Sequence, residues 1–162
     1  MPVSNSSLRN PDSFIMNEDT VNISVCSFLK NKGVECDSPL VGKQRGVDVK
    51  GIISGYTILV ESKGSQSNGL VDDTVFKHGQ IVNHLARQLH TLMRYAETTD
   101  PNETLLILAN PDIPRIRSEV DRVRTSINRL GLICFWVQEN GNILIESEGE
   151  QSEILRKLRL IM

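Results

Sequence analysis

Aromatic residues are scarce in this chain: one tryptophan, two tyrosines and four phenylalanines among 162 residues. They form no stripe of rings on which successive bases of a single strand would stack. Only three cysteines are present, Cys26, Cys36 and Cys134, and none belongs to a CxxC pair or a zinc-like cluster. An odd number of scattered cysteines is expected to remain as buried thiols in a reducing cytoplasm. The sequence has neither a GxGxxG nor a GxxxxGK[ST] loop, which argues against a dinucleotide enzyme and a nucleotide-driven motor. No apolar run approaches a membrane span, residues 1–10 have no apolar signal core, and no internal repeat is visible, so no membrane role is expected. Charge of one sign is lacking too. The formal net charge is −2, so a nucleic-acid surface would have to be a local basic patch, or an acidic site that recruits metal to offset its own field. What remains is ordinary: 39% hydrophobic and 23% charged residues over 162 positions, enough for one domain with a sizeable core.

The most informative stretch is residues 45–63, RGVDVKGIISGYTILVESK. Val47, Val49 and Ile53 flank polar residues, Ile58 and Val60 do the same further on, and Ser54-Gly55 has the composition of a turn. A two-residue loop there pairs Ile53 with Tyr56, sets Lys50 opposite Leu59, and puts Asp48 opposite Glu61. Alternation then places Asp48, Lys50, Leu59, Glu61 and Lys63 on one face. Opposed Cβ atoms lie about 5 Å apart, so both carboxylates can reach one cation. Two neighbouring carboxylates repel unless a cation or a shared proton compensates. Hard oxygen ligands of this kind suit Mg²⁺, with Mn²⁺ as a substitute, and Asp48 and Glu61 are the expected metal ligands. Lys63, on the same face, would position or help deprotonate a water, or stabilise a phosphorane-like charge. The same pattern also describes an exposed hairpin decorated with an Asp/Glu/Lys salt-bridge cluster.

Val47-Asp48, twelve intervening residues, and then Glu61-Ser62-Lys63 at the end of an apolar strand resemble the core motif of the PD-(D/E)XK nuclease superfamily, the restriction-endonuclease-like fold. Val47 stands where that motif has its eponymous proline. The resemblance implies a three-layer α/β domain whose mixed central sheet is flanked by helices. It also implies a divalent-metal site on Asp48 and Glu61, catalytic assistance from Lys63, and hydrolysis of phosphodiester bonds in DNA. Members often carry a glutamine early in the helix after E-x-K; Gln80 matches that place as a further catalytic candidate, with His84 one turn later on the same face. Some relatives place an additional acid where Glu18 stands, although Glu18 is equally a carboxylate favouring a helix N-terminus.

Along the rest of the chain, residues 1–16 are rich in Ser, Asn and Pro and read as a flexible lead-in. A helix is expected over 20–32, capped by Asp19 and ended by Gly33. A loop follows in which Lys43 and Arg45 would either contact a phosphate backbone or remain solvated. The loop over 64–73 reads as flexible. A long helix over 74–97 shows an apolar stripe of Ile81, Leu85, Leu89, Leu92 and Ala96, widened by Val82 and Met93. Its histidines, with His78, fall at six-residue intervals around the helix, which disfavours a histidine metal site. Residues 103–110 read as a central strand covered on both faces. One helix over 113–130 carries Arg115, Arg122 and Arg129 at seven-residue intervals, a side that would meet DNA, an acidic partner or water. Residues 132–137 read as a strand with Phe135 and Trp136 on opposite faces, and Asn140-Gly141 turns the chain into an edge strand.

The expected organisation is therefore a flexible segment 1–16, a nuclease-like core 17–146 and a C-terminal helical appendage 147–162. Ile154, Leu155, Leu158 and Ile161 on that appendage would dock on their own domain or on a second copy, giving a homodimer. The functional expectation is a metal-dependent endonuclease acting on DNA, with or without a partner subunit. Its rival is a non-catalytic domain of the same fold used for nucleic-acid binding or assembly.

Overall fold

Two nearly continuous apolar runs, residues 104–111 and 133–137, need cover on both faces, and the layers of the molecule are arranged around them. The computed structural model describes residues 1–42 and 46–162. Lys43 and Arg45, the basic pair expected beside the hairpin, lie outside the described residues.

In chain order the elements are β1 (Val3–Ser4), α1 (Glu18–Asn31), β2 (Glu35–Cys36), β3 (Val49–Ile53), β4 (Tyr56–Ser62), β5 (Thr74–Val75) and α2 (His78–Glu97). They continue with β6 (Thr104–Pro111), α3 (Pro114–Asp121), α4 (Arg124–Arg129), β7 (Ile133–Val137), β8 (Ile143–Glu146) and α5 (Gly149–Lys157). Six strands form one mixed sheet in the order β2-β3-β4-β6-β7-β8. Its centre, β4-β6-β7, is parallel, and the pairs toward both edges are antiparallel. Alternation along the central strands sorts their side chains into two cores. Ile58, Val60, Ile107, Ala109 and Phe135 pack with Val21, Val25 and Leu29 of α1 and with Leu155 of α5. Leu59, Leu106, Leu108 and Trp136 pack with Ile81, Leu85 and Leu92 of α2, with Ile116 and Val120 of α3, and with Ile127 of α4. The chain is thus an α/β fold with a mixed central sheet covered by helices on both faces, and Phe135 and Trp136 do face opposite layers.

Several boundaries differ from the sequence reading. The cap of α1 is Asn17, whose side chain accepts the Thr20 N–H at 2.9 Å. Asp19 lies inside the first turn, where its carboxylate accepts the Gly42 N–H at 2.9 Å. Thr74 and Val75 are strand rather than helix, pairing with Ser4 and Val3. On α2 the buried face is Ile81, Leu85, Gln88 and Leu92, while Val82 and Met93 point outward. The expected helix 113–130 breaks after Arg122: Val123 has φ −124° and ψ 19°, and it and Leu130 are exposed.

Both terminal segments reach the core, although Met1 and Met162 themselves are exposed. Besides β1, the N-terminal segment buries Met16 in the core and ties Asp12 to Arg115 through two hydrogen bonds of 2.7 Å. At the other end Leu155, Leu158 and Leu160 belong to the same core as α1, with Ile154 and Ile161 packed against it. The apolar set that suggested a homodimer is thus packed within the chain itself. Among the described residues, no helix is long and apolar enough to cross a membrane.

Candidate functional site

Ser54 and Gly55 both have positive φ, 49° and 84°, which is the two-residue turn whose twist matches a right-twisted hairpin. The register that follows pairs Ile53 with Tyr56, Lys50 with Leu59 and Val49 with Val60, as the sequence predicts. Asp48 sits one residue before β3 and is fixed across the hairpin by the Ser62 N–H, which donates to its Oδ2 at 2.8 Å. The register carries Asp48 opposite Glu61, near enough for each carboxyl group to shift the other's proton affinity.

Glu61 is only 8% exposed. Burial first, and then the charge of Asp48, push its pKa up to about 7. Burial also raises that of Asp48, against the opposing effect of the Ser62 N–H, Glu61 and Lys63. The Tyr95 hydroxyl donates to Glu61 Oε1 at 2.6 Å, and burial and this bond together raise the pKa of the phenol. Lys63, the next residue on the same face, has its Nζ 3.7 Å from Glu18 Oε1. Burial and then Asp48 raise the pKa of Glu18 as well, while Lys63 opposes the shift. The charge of Lys63 thus acts on three carboxyl groups, Glu18, Asp48 and Glu61, and burial outweighs it in all three. Among the described residues no group of three or more His, Cys, Asp or Glu side chains is arranged to hold a metal ion. A pair of carboxylates is nevertheless what Mg²⁺ uses when water and substrate oxygens fill its other positions.

The surrounding backbone explains why these groups converge. The Gln88 amide, fully buried, donates to Glu61 O at 2.8 Å and to Ala109 O at 3.2 Å, holding the ends of β4 and β6 together. Asn110 donates to Gln88 Oε1 at 3.2 Å. Gly64 lets the start of α1 lie against the end of β4: a Cβ there would stand 2.5 Å from Glu18 N and 2.6 Å from Asn17 C. That close approach delivers Glu18 to Lys63. The loop after Lys63 is tied at its base, where Ser65 N–H donates to Met16 O at 2.7 Å and Gln66 Nε2 donates to Asp72 O and Thr74 O at 2.8 and 2.9 Å.

Of the predicted site residues, Asp48, Glu61 and Lys63 are brought together, and Glu18 joins them. Gln80 is not: its Oε1 accepts the Lys77 N–H at 3.0 Å, folding its side chain back onto the start of α2. His84 does approach, lining with Glu18, Lys63, Asn68 and Phe76 a cleft of about 150 Å³. Its ring meets Phe76 edge-on at 4.4 Å, and its Nδ1 is buried without a hydrogen-bond partner. Burial, with Lys63 and Arg87 nearby, lowers its pKa. Gln88 and Tyr95 were missed by the sequence reading. The signal for Gln88 was a polar residue on the apolar stripe Ile81-Leu85-Leu92, since a buried amide needs defined partners; Tyr95 lies seven residues further along the same face. The arginine row does not form. Arg115 is engaged by Asp12 and Phe76 O, the helix breaks after Arg122, and Arg117 pairs with Asp112 at 2.6 Å while stacking on Trp136 at 4.4 Å.

No protein-family model matches the sequence. No curated protein matches it either. Among solved structures, the crystal structure of an fdxN element excision controlling factor protein from Anabaena variabilis is similar, with a TM-score of 0.51 and 19% identity, covering 78% of this chain and 96% of that one. At that identity the likeness is one of fold: both chains build this α/β arrangement.

Proposed function

We propose that the chain is a divalent-metal-dependent deoxyribonuclease of the PD-(D/E)XK, restriction-endonuclease-like type, hydrolysing phosphodiester bonds in DNA. The observation that carries this reading is the placement of Asp48 opposite the buried Glu61 across the hairpin. Burial raises the proton affinity of both carboxyl groups by more than the Lys63 charge lowers it, and such a pair fits a hard divalent ion. Asp48 and Glu61 would hold Mg²⁺, or Mn²⁺ in its place. When bound, the ion supplies Lewis-acid neutralisation of phosphoryl charge and a more acidic water. Lys63 contributes a fixed positive charge facing the cleft, suited to the extra charge that develops on the phosphoryl oxygens as the new bond forms. Glu18, at 3.7 Å, holds that ammonium in place. The similar solved structure is named for element excision, but the DNA substrate proposed here rests on the site.

One observation favours the assembly form of the rival reading, a non-catalytic domain: Arg115, Arg117 and Arg124 are already paired with Asp12, Asp112, Asp121 and Glu146, so these three are not offered to a phosphate backbone. Labelled linear, nicked, flap and branched DNA incubated with the protein separates the two. The nuclease reading expects cleavage with Mg²⁺ or Mn²⁺, its loss with chelator, and its loss in Asp48→Asn and Lys63→Ala. No cleavage of any substrate under any metal, with any DNA binding unchanged in those variants, would leave the non-catalytic domain.

A further inference from the structure

The Tyr95 hydroxyl reaches 34 residues back in sequence to a single atom, Glu61 Oε1, at 2.6 Å, the length of a strong O–H to carboxylate hydrogen bond. Its position is fixed from both sides. The ring packs against the core beneath α2, and the Tyr95 carbonyl accepts the Thr98 N–H at 3.1 Å and the Thr99 hydroxyl at 2.8 Å where the helix ends. Seven residues earlier on the same face, Gln88 grips the Glu61 carbonyl at 2.8 Å. One helix therefore fixes both the main chain and the carboxylate of Glu61, with the phenol engaging one of its two oxygens.

From this geometry we infer that Tyr95 is a positioning residue that sets the metal preference of the site: by holding Oε1 it restricts Glu61 to single-oxygen coordination and so favours Mg²⁺ over Ca²⁺. The inference rests on the metal-site reading of Asp48 and Glu61. Its chemistry is general. Mg²⁺ demands near-octahedral geometry at short distance and accepts one oxygen per carboxylate, whereas Ca²⁺ gains from carboxylates that offer both. A residue that orients a ligand without touching the ion typically alters affinity by 10–100-fold when removed.

The test is calorimetric titration of the metal-free protein with MgCl₂ and, separately, CaCl₂, for wild type and Tyr95→Phe. The expected result is a wild type that prefers Mg²⁺, and a variant whose Mg²⁺-to-Ca²⁺ affinity ratio falls on the order of ten-fold. General loosening of the site would weaken both ions alike and leave the ratio unchanged, which would overturn the assignment. If Tyr95→Phe does not fold, the wild-type titrations still decide: a preference for Ca²⁺ contradicts the inference. A wild type that binds neither ion defeats the metal reading and this inference together. A wild type that binds Mg²⁺ beside a folded variant with the same ratio defeats the Tyr95 assignment alone. A shifted ratio without DNA cleavage upholds Tyr95 and counts against the nuclease.

Discussion

Asp12 and Glu61 are both carboxylates drawn out of water, and they differ in what faces them. Asp12, with its side chain 1% exposed, receives two guanidinium N–H groups from Arg115 at 2.7 Å. Glu61 receives one hydroxyl from Tyr95 and otherwise meets Asp48, a second acid; the nearby Lys63 ammonium is shared with Glu18. One site is balanced, so its burial is compatible with a purely structural role. The other carries more acid than base, and the pKa values of its carboxyl groups are all raised. The first arrangement joins the N-terminal segment to α3. The second stays electrostatically incomplete, and incompleteness at a sheet end beside a cleft suits a site completed by a ligand.

The largest effect is expected at the balanced site. Asp12→Ala leaves Arg115, only 16% exposed, without its counter-charge, and removing one partner of a buried pair costs about 3–5 kcal/mol. Urea unfolding should show that loss; a change under about 1 kcal/mol would place Asp12 with ordinary surface pairs.

At the incomplete site the sign reverses. Glu61→Gln keeps an acceptor for Tyr95, offers an N–H to Asp48 and removes one of the clashing charges. The metal-free variant should be more stable than wild type by on the order of 1–2 kcal/mol at pH 8. The gain has a defined pH dependence. Because the folded chain holds the Glu61 proton up to about 7, against 4.5 for an ordinary glutamate, the wild-type contribution is fully present below about 4.5 and is lost as pH rises through about 7. Asp48 and Glu18, also raised, act in the same direction. Thermal melts at a series of pH values should therefore show the variant and wild type converging at low pH and separating toward pH 8. A wild type equal to or more stable than the variant at pH 8 would mean that Glu61 is already compensated.

This contrast was half legible in the sequence. The hairpin register could be read because its determinants are local: alternating apolar residues and a Ser54-Gly55 turn that accepts two positive φ values. Asp48, Glu61 and Lys63 followed from the same count. The balanced site was invisible, because Asp12 and Arg115 are 103 residues apart and a Ser/Asn/Pro-rich segment gives no sign that its carboxylate will find a buried arginine. Gln80 was misplaced for a local reason: a glutamine at the third position of a helix folds back onto the N-cap N–H. The break after Arg122 has no proline or glycine to announce it. Gln88 and Tyr95 depend on how α2 lies over β4 and β6, a tertiary fact that periodicity alone does not specify.

The claim at the centre of this account is that Asp48 and Glu61 are a cation site, and magnesium titration of the metal-free protein by calorimetry tests it most directly. The account predicts saturable heat for wild type, none for Asp48→Asn, and near wild-type affinity for Lys63→Ala, whose ammonium faces the cleft without being a ligand. Equal Mg²⁺ and Mn²⁺ binding by wild type and Asp48→Asn, or no binding by wild type at concentrations well above those used for cleavage assays, would contradict it.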